Sequence, residues 1–314
     1  MEILVSIGLI LAGLAVVLWG ANSFTDGVGA LARKFNVSEL VIGLTVVALG
    51  TSAPELSVSL MAQLNGASGM AVGNVIGSNI FNTLAIVGVT SMVAPILITK
   101  ETVRRDMPWC VLAAALLFAF IQWDNVISRL EAIVMLLCFA VFMFFTFRNS
   151  KAEEEETAAT TDTAKIKLWV CLLRIVAGLA ALIIGSRLFV NGASDVASAL
   201  NVSDAVIGLT VAAWGTSLPE LATSVSAARK GQSGLAIGNV VGSNIFNILF
   251  ILGLTGTVRS IDAGGFTLVD LIVMLASVPL LWLFTRTKYR VSRWEGAVLT
   301  LVFAVYTVWL VLNA

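Results

Sequence analysis

The chain has 314 residues, 58% of them hydrophobic and only 12% charged, with 19 basic residues set against 19 acidic ones and no histidine. A soluble domain carries about a quarter charged residues, so this composition excludes one of useful size, and the even charge balance gives no pull toward nucleic acid. The absence of histidine removes the commonest metal ligand and proton shuttle.

Apolar segments fall at about 3–25, 40–63, 69–97, 107–122, 129–147, 168–190, 205–227, 234–257, 266–285 and 295–312. A membrane span needs about 20 apolar residues, so the pattern predicts an all-α membrane protein with ten transmembrane helices. The first segment lacks a basic lead and a small-residue cleavage site, and reads as a span, not a removed signal peptide. Cys110, Cys138 and Cys171 lie far apart inside apolar runs and read as packing or lipid-facing residues, with no disulfide or zinc pattern. The one long polar stretch, 148–167, holds Glu153, Glu154, Glu155 and Glu156 and reads as an acidic cytoplasmic linker. A run of like charges repels itself and lacks the spaced loop of a calcium site.

The linker divides two copies of one unit, residues 1–147 and 168–314. Residues 36–55 and 201–220 are identical at 15 of 20 positions, and 66–88 and 231–253 at 16 of 23. Both matches share an offset of 165 residues, which also pairs Gly20 with Gly185, Phe24 with Phe189 and Gly27 with Gly192. Five spans per copy is an odd number, so the second copy enters the membrane upside down. The expected architecture is two inverted five-helix repeats, with the substrate site near the midplane where they meet.

Basic residues agree with this topology. With both termini outside, 15 of the 19 face the cytoplasm, among them Arg33, Lys34, Arg104, Arg105, Arg148, Arg229, Lys230 and Lys288. A short linker and the lack of a targeting peptide point to a prokaryotic inner membrane.

The most similar parts of the two copies carry the polar chemistry. Residues 50–55 read GTSAPE and 215–220 read GTSLPE, each inside an apolar span. An ionised Glu at membrane depth costs several kcal/mol unless paired or hydrated. No Lys, Arg or His occupies the equivalent depth of the helices that carry Glu55 and Glu220, so a bound cation is their natural partner. Pro54 and Pro219 have no N–H, which strips the Gly50 and Gly215 carbonyls of their helical donor and loosens those of Thr51 and Thr216. Bare carbonyls in a membrane are tolerated where they line a cavity. Ala48, Thr51, Ser52, Glu55 and Ser59 share a helical face.

The second motif is GNVIGSNIFN at 73–82 and GNVVGSNIFN at 238–247. Asn74, Ser78 and Asn82 form one stripe, repeated by Asn239, Ser243 and Asn247. Gly73 with Gly77, and Gly238 with Gly242, are small-residue pairs that let helices approach closely. Such polar stripes either join helices or line a pathway. Two bidentate glutamates and two threonine carbonyls make six hard oxygens with two negative charges, which suits one Ca²⁺ and offers no soft ligand for zinc or copper. The hydroxyls of Ser52, Ser78, Ser217 and Ser243 with the same carboxylates suit several Na⁺ instead.

The duplicated GTSxPE and GSNxFN motifs resemble the alpha repeats of the sodium/calcium exchangers, within the cation/calcium exchanger superfamily, in their short prokaryotic form. The resemblance covers essentially the whole chain. It implies a calcium site at Glu55, Glu220 and the carbonyls of Thr51 and Thr216. It further implies sodium ligands at Ser52, Ser78, Ser217, Ser243 and the carbonyls of Ala48 and Ala213. Asn82 and Asn247 match polar positions bordering that site, where potassium-dependent relatives carry Asp, so no potassium requirement is expected. The implied stoichiometry is three Na⁺ per Ca²⁺. The first and sixth spans, less polar at depth, are the expected moving parts. Ca²⁺ and Na⁺ are then transported substrates, with no cofactor and no obligate protein partner. A calcium/proton antiporter and a cation channel are the competing readings. No nucleophile–base pair or nucleotide loop suggests an enzyme.

Overall fold

A computed structural model describes residues 2–157, 167–200 and 213–313. The described chain is almost entirely helical. In the first half, α1 spans Glu2–Lys34, α2 Glu39–Thr51, α3 Ala53–Leu64, α4 Ser68–Val93, α5 Thr102–Asp124 and α6 Arg129–Thr157. In the second half, α7 spans Leu168–Ala199, α8 Ala213–Thr216, α9 Leu218–Arg229, α10 Ser233–Val258, α11 Leu268–Lys288 and α12 Arg293–Asn313. Among the described residues, eight helices are each long and apolar enough to cross a membrane. The pair α2 and α3 makes a ninth, broken span, bent by 47° at Ser52. Its repeat counterpart, expected at about 205–227, falls partly on residues 201–212, which lie outside the described residues, and continues in α8 and α9. The expected linker likewise falls partly outside, at 158–166, while α6 carries helix through Thr157, as its Ala, Glu and Lys residues favour.

Two helices run longer than their apolar patterns. The expectation ended the first and sixth spans near 25 and 190, but α1 reaches Lys34 and α7 reaches Ala199. The reason is packing. α1 and α7 lie against each other along most of their length through glycines seven residues apart. A Cβ built on Gly20 would sit 2.9 Å from the Gly178 carbonyl oxygen, and one on Gly185 2.8 Å from that of Gly13. Gly13 and Gly178 are repeat partners, as are Gly20 and Gly185, so the seam obeys the same inverted symmetry as the sequence. Only backbones stripped to glycine approach this closely.

The centre of the molecule is α4 and α10, which are buried nearly all round, as their mixture of apolar and small residues requires. Val75, Ile80, Leu84, Val240, Ile245 and Leu249 fill the core between them and their neighbours. Each of the two helices widens into a π-type turn at the same repeat position, Phe81–Ile86 and Phe246–Leu252. Leu11 and Leu18 on α1, Leu137 and Phe144 on α6, and Leu301 and Val305 on α12 are exposed and make the lipid-facing rim. Cys110 and Cys171 are buried and Cys138 half-buried, all free, so they are packing residues.

Two short antiparallel ribbons join the halves. β1 (Ile96–Leu97) pairs with β4 (Arg290–Val291), and β2 (Val126–Ile127) with β3 (Ile261–Asp262). Each ribbon takes one strand from each half.

Candidate ion-binding site

The break at Pro54 aims Glu55 inward at the first turn of α3. Ser52 N–H still bonds the Ala48 carbonyl at 3.0 Å, and Leu56 N–H bonds the Ser52 carbonyl at 3.1 Å, so the helix restarts with a changed direction and does not unravel. Pro219 does the same for Glu220 at the start of α9, where Leu221 N–H bonds the Ser217 carbonyl at 3.1 Å. Ala48, Thr51, Ser52, Glu55 and Ser59 are all buried, as the shared face predicts.

The two glutamates are joined through the opposite half. Ser217 Oγ donates to Glu55 Oε1 at 3.0 Å, and Ser52 Oγ donates to Glu220 Oε1 at 3.0 Å. Ser78 Oγ lies 3.3 Å from Ser217 Oγ, which brings the α4 stripe into the same cluster. Both carboxylates are fully buried, and neither forms an ion pair with a described residue. Their remaining oxygens, Glu55 Oε2 and Glu220 Oε2, have no hydrogen-bond partner among the described residues. Nor do either side-chain atom of Asn82, either of Asn247, or Ser243 Oγ, all buried. Native proteins pair nearly all buried polar atoms. Of the fourteen buried and unpaired side-chain atoms among the described residues, seven belong to these five residues of the two motifs. Asn82 and Asn247 sit inside the two π-type turns, features that occur frequently at functional sites.

The sequence reading placed Asn74 and Asn239 on the polar stripes but not among the ion ligands. The structure gives them a distinct part. Asn74 Nδ2 donates to the Glu55 carbonyl at 3.2 Å and to Ser59 Oγ at 3.0 Å. Asn239 Nδ2 donates to the Glu220 carbonyl at 3.2 Å and to Ser224 Oγ at 2.9 Å. Thr51 Oγ1 lies 3.0 Å from both the Val47 carbonyl and Asn239 Oδ1. The asparagines thus fix the backbone from which each glutamate projects. Gly238 and Gly242 provide the close approach expected of them: a Cβ on either would fall within 2.8 Å of the carbonyl of Leu40 or Leu44 on α2. At Gly73 the nearest described atom is in the Phe266 ring, 3.2 Å from such a Cβ, and at Gly77 no described atom lies within 4 Å. Thr216 ends α8 half-buried, and Ala213 is the first residue described after 201–212.

One polar cluster was not anticipated. Lys230 Nζ donates to the Asn22 carbonyl at 2.9 Å, Thr25 Oγ1 at 2.8 Å and Asp26 Oδ1 at 2.8 Å. Ser226 Oγ donates to Asn22 Oδ1 at 2.8 Å and lies 3.0 Å from Thr25 Oγ1. This ties the end of α9 to α1. The repeat partners of Asn22, Thr25 and Asp26 are Arg187, Val190 and Asn191, and those of Ser226 and Lys230 are Met61 and Asn65, which cannot build the same cluster. The departure from symmetry was its signal in the sequence.

Residues 5–148 and 170–312 both match the sodium/calcium exchanger protein family. The chain belongs to that family. The sodium/calcium exchanger MaX1 of Methanosarcina acetivorans is 34% identical to it over 96% of this chain and 97% of its own length. The putative antiporter CaxA of Alkalimonas amylolytica is 38% identical over 95% and 96%. A structure of the sodium-calcium exchanger NCX_Mj, soaked with 2.5 mM Na⁺ and 0.1 mM Ca²⁺, superposes with a TM-score of 0.82 at 32% identity, covering 96% of this chain and 97% of that one. This member of the sodium/calcium exchanger family is therefore an integral membrane protein and a cation antiporter. Its matched segments are the two halves on either side of the polar stretch, and the buried glutamates of those halves meet through Ser52 and Ser217.

Proposed function

We propose that the chain exchanges Na⁺ for Ca²⁺ across a membrane by alternating access, with Glu55 and Glu220 as the shared charged ligands. The observation that carries this is the pair of buried carboxylates, each with one oxygen satisfied by the opposite half's serine and the other unsatisfied. Ca²⁺ accepts six to eight oxygens. In this reading the two carboxylates and the Thr51 and Thr216 carbonyls hold it, and Asn82 and Asn247 border it. The Ser52, Ser78, Ser217 and Ser243 hydroxyls, with the Ala48 and Ala213 carbonyls, share the carboxylates among Na⁺ ions. Asparagine in place of aspartate at 82 and 247 goes with independence from K⁺.

Coupling follows from electrostatics. Two bare carboxylates facing a low-dielectric barrier are costly to desolvate, so the site changes sides only when Ca²⁺ or several Na⁺ neutralise it. Three Na⁺ for one Ca²⁺ carries one net charge, about 2.3 kcal/mol per 100 mV. The glycine seam makes α1 and α7 a single unit that slides past the site, and the Lys230 cluster holds that unit against α9 on the face assigned to the cytoplasm. Both termini lie outside, in a prokaryotic inner membrane, and the polar stretch at 148–167 separates the repeats 1–147 and 168–314.

The test is calcium uptake into sodium-loaded vesicles containing the pure protein. Uptake collapses when the sodium gradient is removed and when Glu55→Gln is introduced. Uptake that ignores the sodium gradient but follows a pH gradient replaces this reading with calcium/proton exchange, since the same carboxylates also bind protons. Sustained single openings would make the protein a channel.

A further inference from the structure

A cavity of about 390 Å³ opens where the start of α5 meets the later turns of α6. Its walls change character with depth. Arg104 and Arg105 lie in the first turn of α5, Pro108 and Trp109 one turn on, and Leu112 a further turn on, with Phe145 of α6 opposite. Eight residues of helix separate the arginines from the leucine, roughly 12 Å. The cavity is an open groove, cationic at its mouth and apolar along its floor, where Leu112 and Phe145 are themselves exposed.

The mouth carries net charge. Arg105 is held by Asp106, with Nε donating to Oδ1 at 2.7 Å and Nη2 to Oδ2 at 3.4 Å, and the Asp106 side chain is wholly buried. That pair is close to neutral. Arg104 is exposed and has no ion-pair partner among the described residues. Arg148, also exposed, follows Phe145 by three residues, on the same side of α6. Lys100 and Glu101, just before this turn, offset each other. Half-buried Trp109 sits edge-on against Phe142, with ring centroids 5.9 Å apart, at the level where indoles favour the membrane interface.

Repeat symmetry separates this feature from general architecture. The 165-residue offset pairs Arg104 and Arg105 with Val269 and Asp270, and the 164-residue offset that aligns Ser128–Glu131 of α6 with Ser292–Glu295 of α12 pairs Arg148 with Leu312. One face of the molecule has the cationic mouth and the other does not. The positive-inside bias accounts for arginines at a span end, but not for an aromatic-walled cavity beneath them.

We propose that this cavity binds an anionic phospholipid of the surrounding bilayer. Its phosphate lies at Arg104, with Arg148 one turn of α6 beyond the lining residue Phe145 adding positive charge at that end, and an acyl chain runs along Trp109, Leu112 and Phe145. Basic pockets between membrane helices recognise anionic headgroups in this way, and an amphiphile uses both ends of the cavity where a soluble phosphate uses only the mouth. The proposal is independent of which ion is transported.

Native mass spectrometry of the purified full-length protein, mixed with phosphatidylglycerol or phosphatidylcholine, tests it. Phosphatidylglycerol adducts are retained and phosphatidylcholine adducts are lost. Arg104→Gln and Arg148→Gln each lower retention about fivefold, the effect of one basic residue near an anionic surface. Leu112→Trp fills the floor and lowers retention with the charges intact. Lys288→Gln, on the same face but in α11, leaves it unchanged. Equal retention of both lipids, equal loss in the Lys288→Gln control, or displacement by millimolar inorganic phosphate with no effect of Leu112→Trp would each overturn the assignment. Melting temperatures of the variants establish that the losses do not come from unfolding.

Discussion

Gly178→Ala adds one methyl group to a tight part of the α1–α7 seam. The new Cβ would lie 2.6 Å from the Phe24 amide nitrogen and 2.8 Å from the Gly20 carbonyl oxygen, both backbone atoms that no rotamer change can move. Ordinary contact begins near 3.4 Å, so the helices must part by about 0.8 Å. A gap of 0.5–1 Å forfeits a quarter to a half of the dispersion attraction of the atoms that face it, and overpacking of this kind costs about 1–3 kcal/mol. Alanine is the better helix former, so the helix itself gains, and any loss reports on the seam alone. Gly8→Ala on α1 is the matched control, because a Cβ there meets nothing within 4 Å. The assay has two arms, thermal unfolding of the purified protein and the initial rate of sodium-driven calcium uptake. Gly178→Ala lowers both, whereas Gly8→Ala leaves the rate unchanged and the melting temperature level or slightly raised. If the two variants behaved alike, the seam would not be the unit on which movement depends.

Glu55→Gln and Glu220→Gln each remove one of two charges. At an effective dielectric of 20 a pair of unit charges at 4 Å is worth about 4 kcal/mol and a divalent ion about twice that, so each variant loses calcium affinity by at least about three orders of magnitude, measured by calorimetry, and by similar factors given the repeat symmetry. Asn239→Leu leaves the Ser224 hydroxyl and the Glu220 carbonyl without their donor, at about 1–3 kcal/mol for each group left unpaired; chemical denaturation shows the loss, and calcium affinity falls with it. Lys230→Gln breaks an ion pair whose side chains are 28% and 49% exposed, so it lowers stability by less than about 1 kcal/mol, with exchange retained; abolished exchange would contradict a tether role. Sodium-driven uptake proceeds equally with and without external K⁺, and a rate that requires K⁺ would refute the reading of Asn82 and Asn247.

The repeat made the architecture legible. Identity at one offset, an odd number of spans and the distribution of Lys and Arg together specify two inverted halves, and GTSxPE with GSNxFN single out Glu55, Glu220, Ser52, Ser78 and Ser217, which the structure joins by hydrogen bonds as Ser52–Glu220 and Glu55–Ser217–Ser78. Apolar periodicity was less informative where helices touch each other instead of lipid. The apolar pattern stops short of the ends of α1 and α7 because Asp26 and Asp195 look unlike a span, yet helix there is held by the opposing helix and by Lys230. The part played by Asn74 and Asn239 was hidden for a different reason. A polar side chain on an inward stripe reads the same whether it meets an ion or a carbonyl, and only the three-dimensional pairing separates them.

The two ribbons set a limit on how such a molecule can move. Because β1 is bonded to β4 and β2 to β3, the halves are riveted together at both ends of the barrier. They cannot rock against each other like jaws without tearing one rivet. α1 and α7 contribute no strand to either ribbon. On the proposed alternating-access reading they are a carriage on a fixed chassis, and the work of opening one face and shutting the other falls to them.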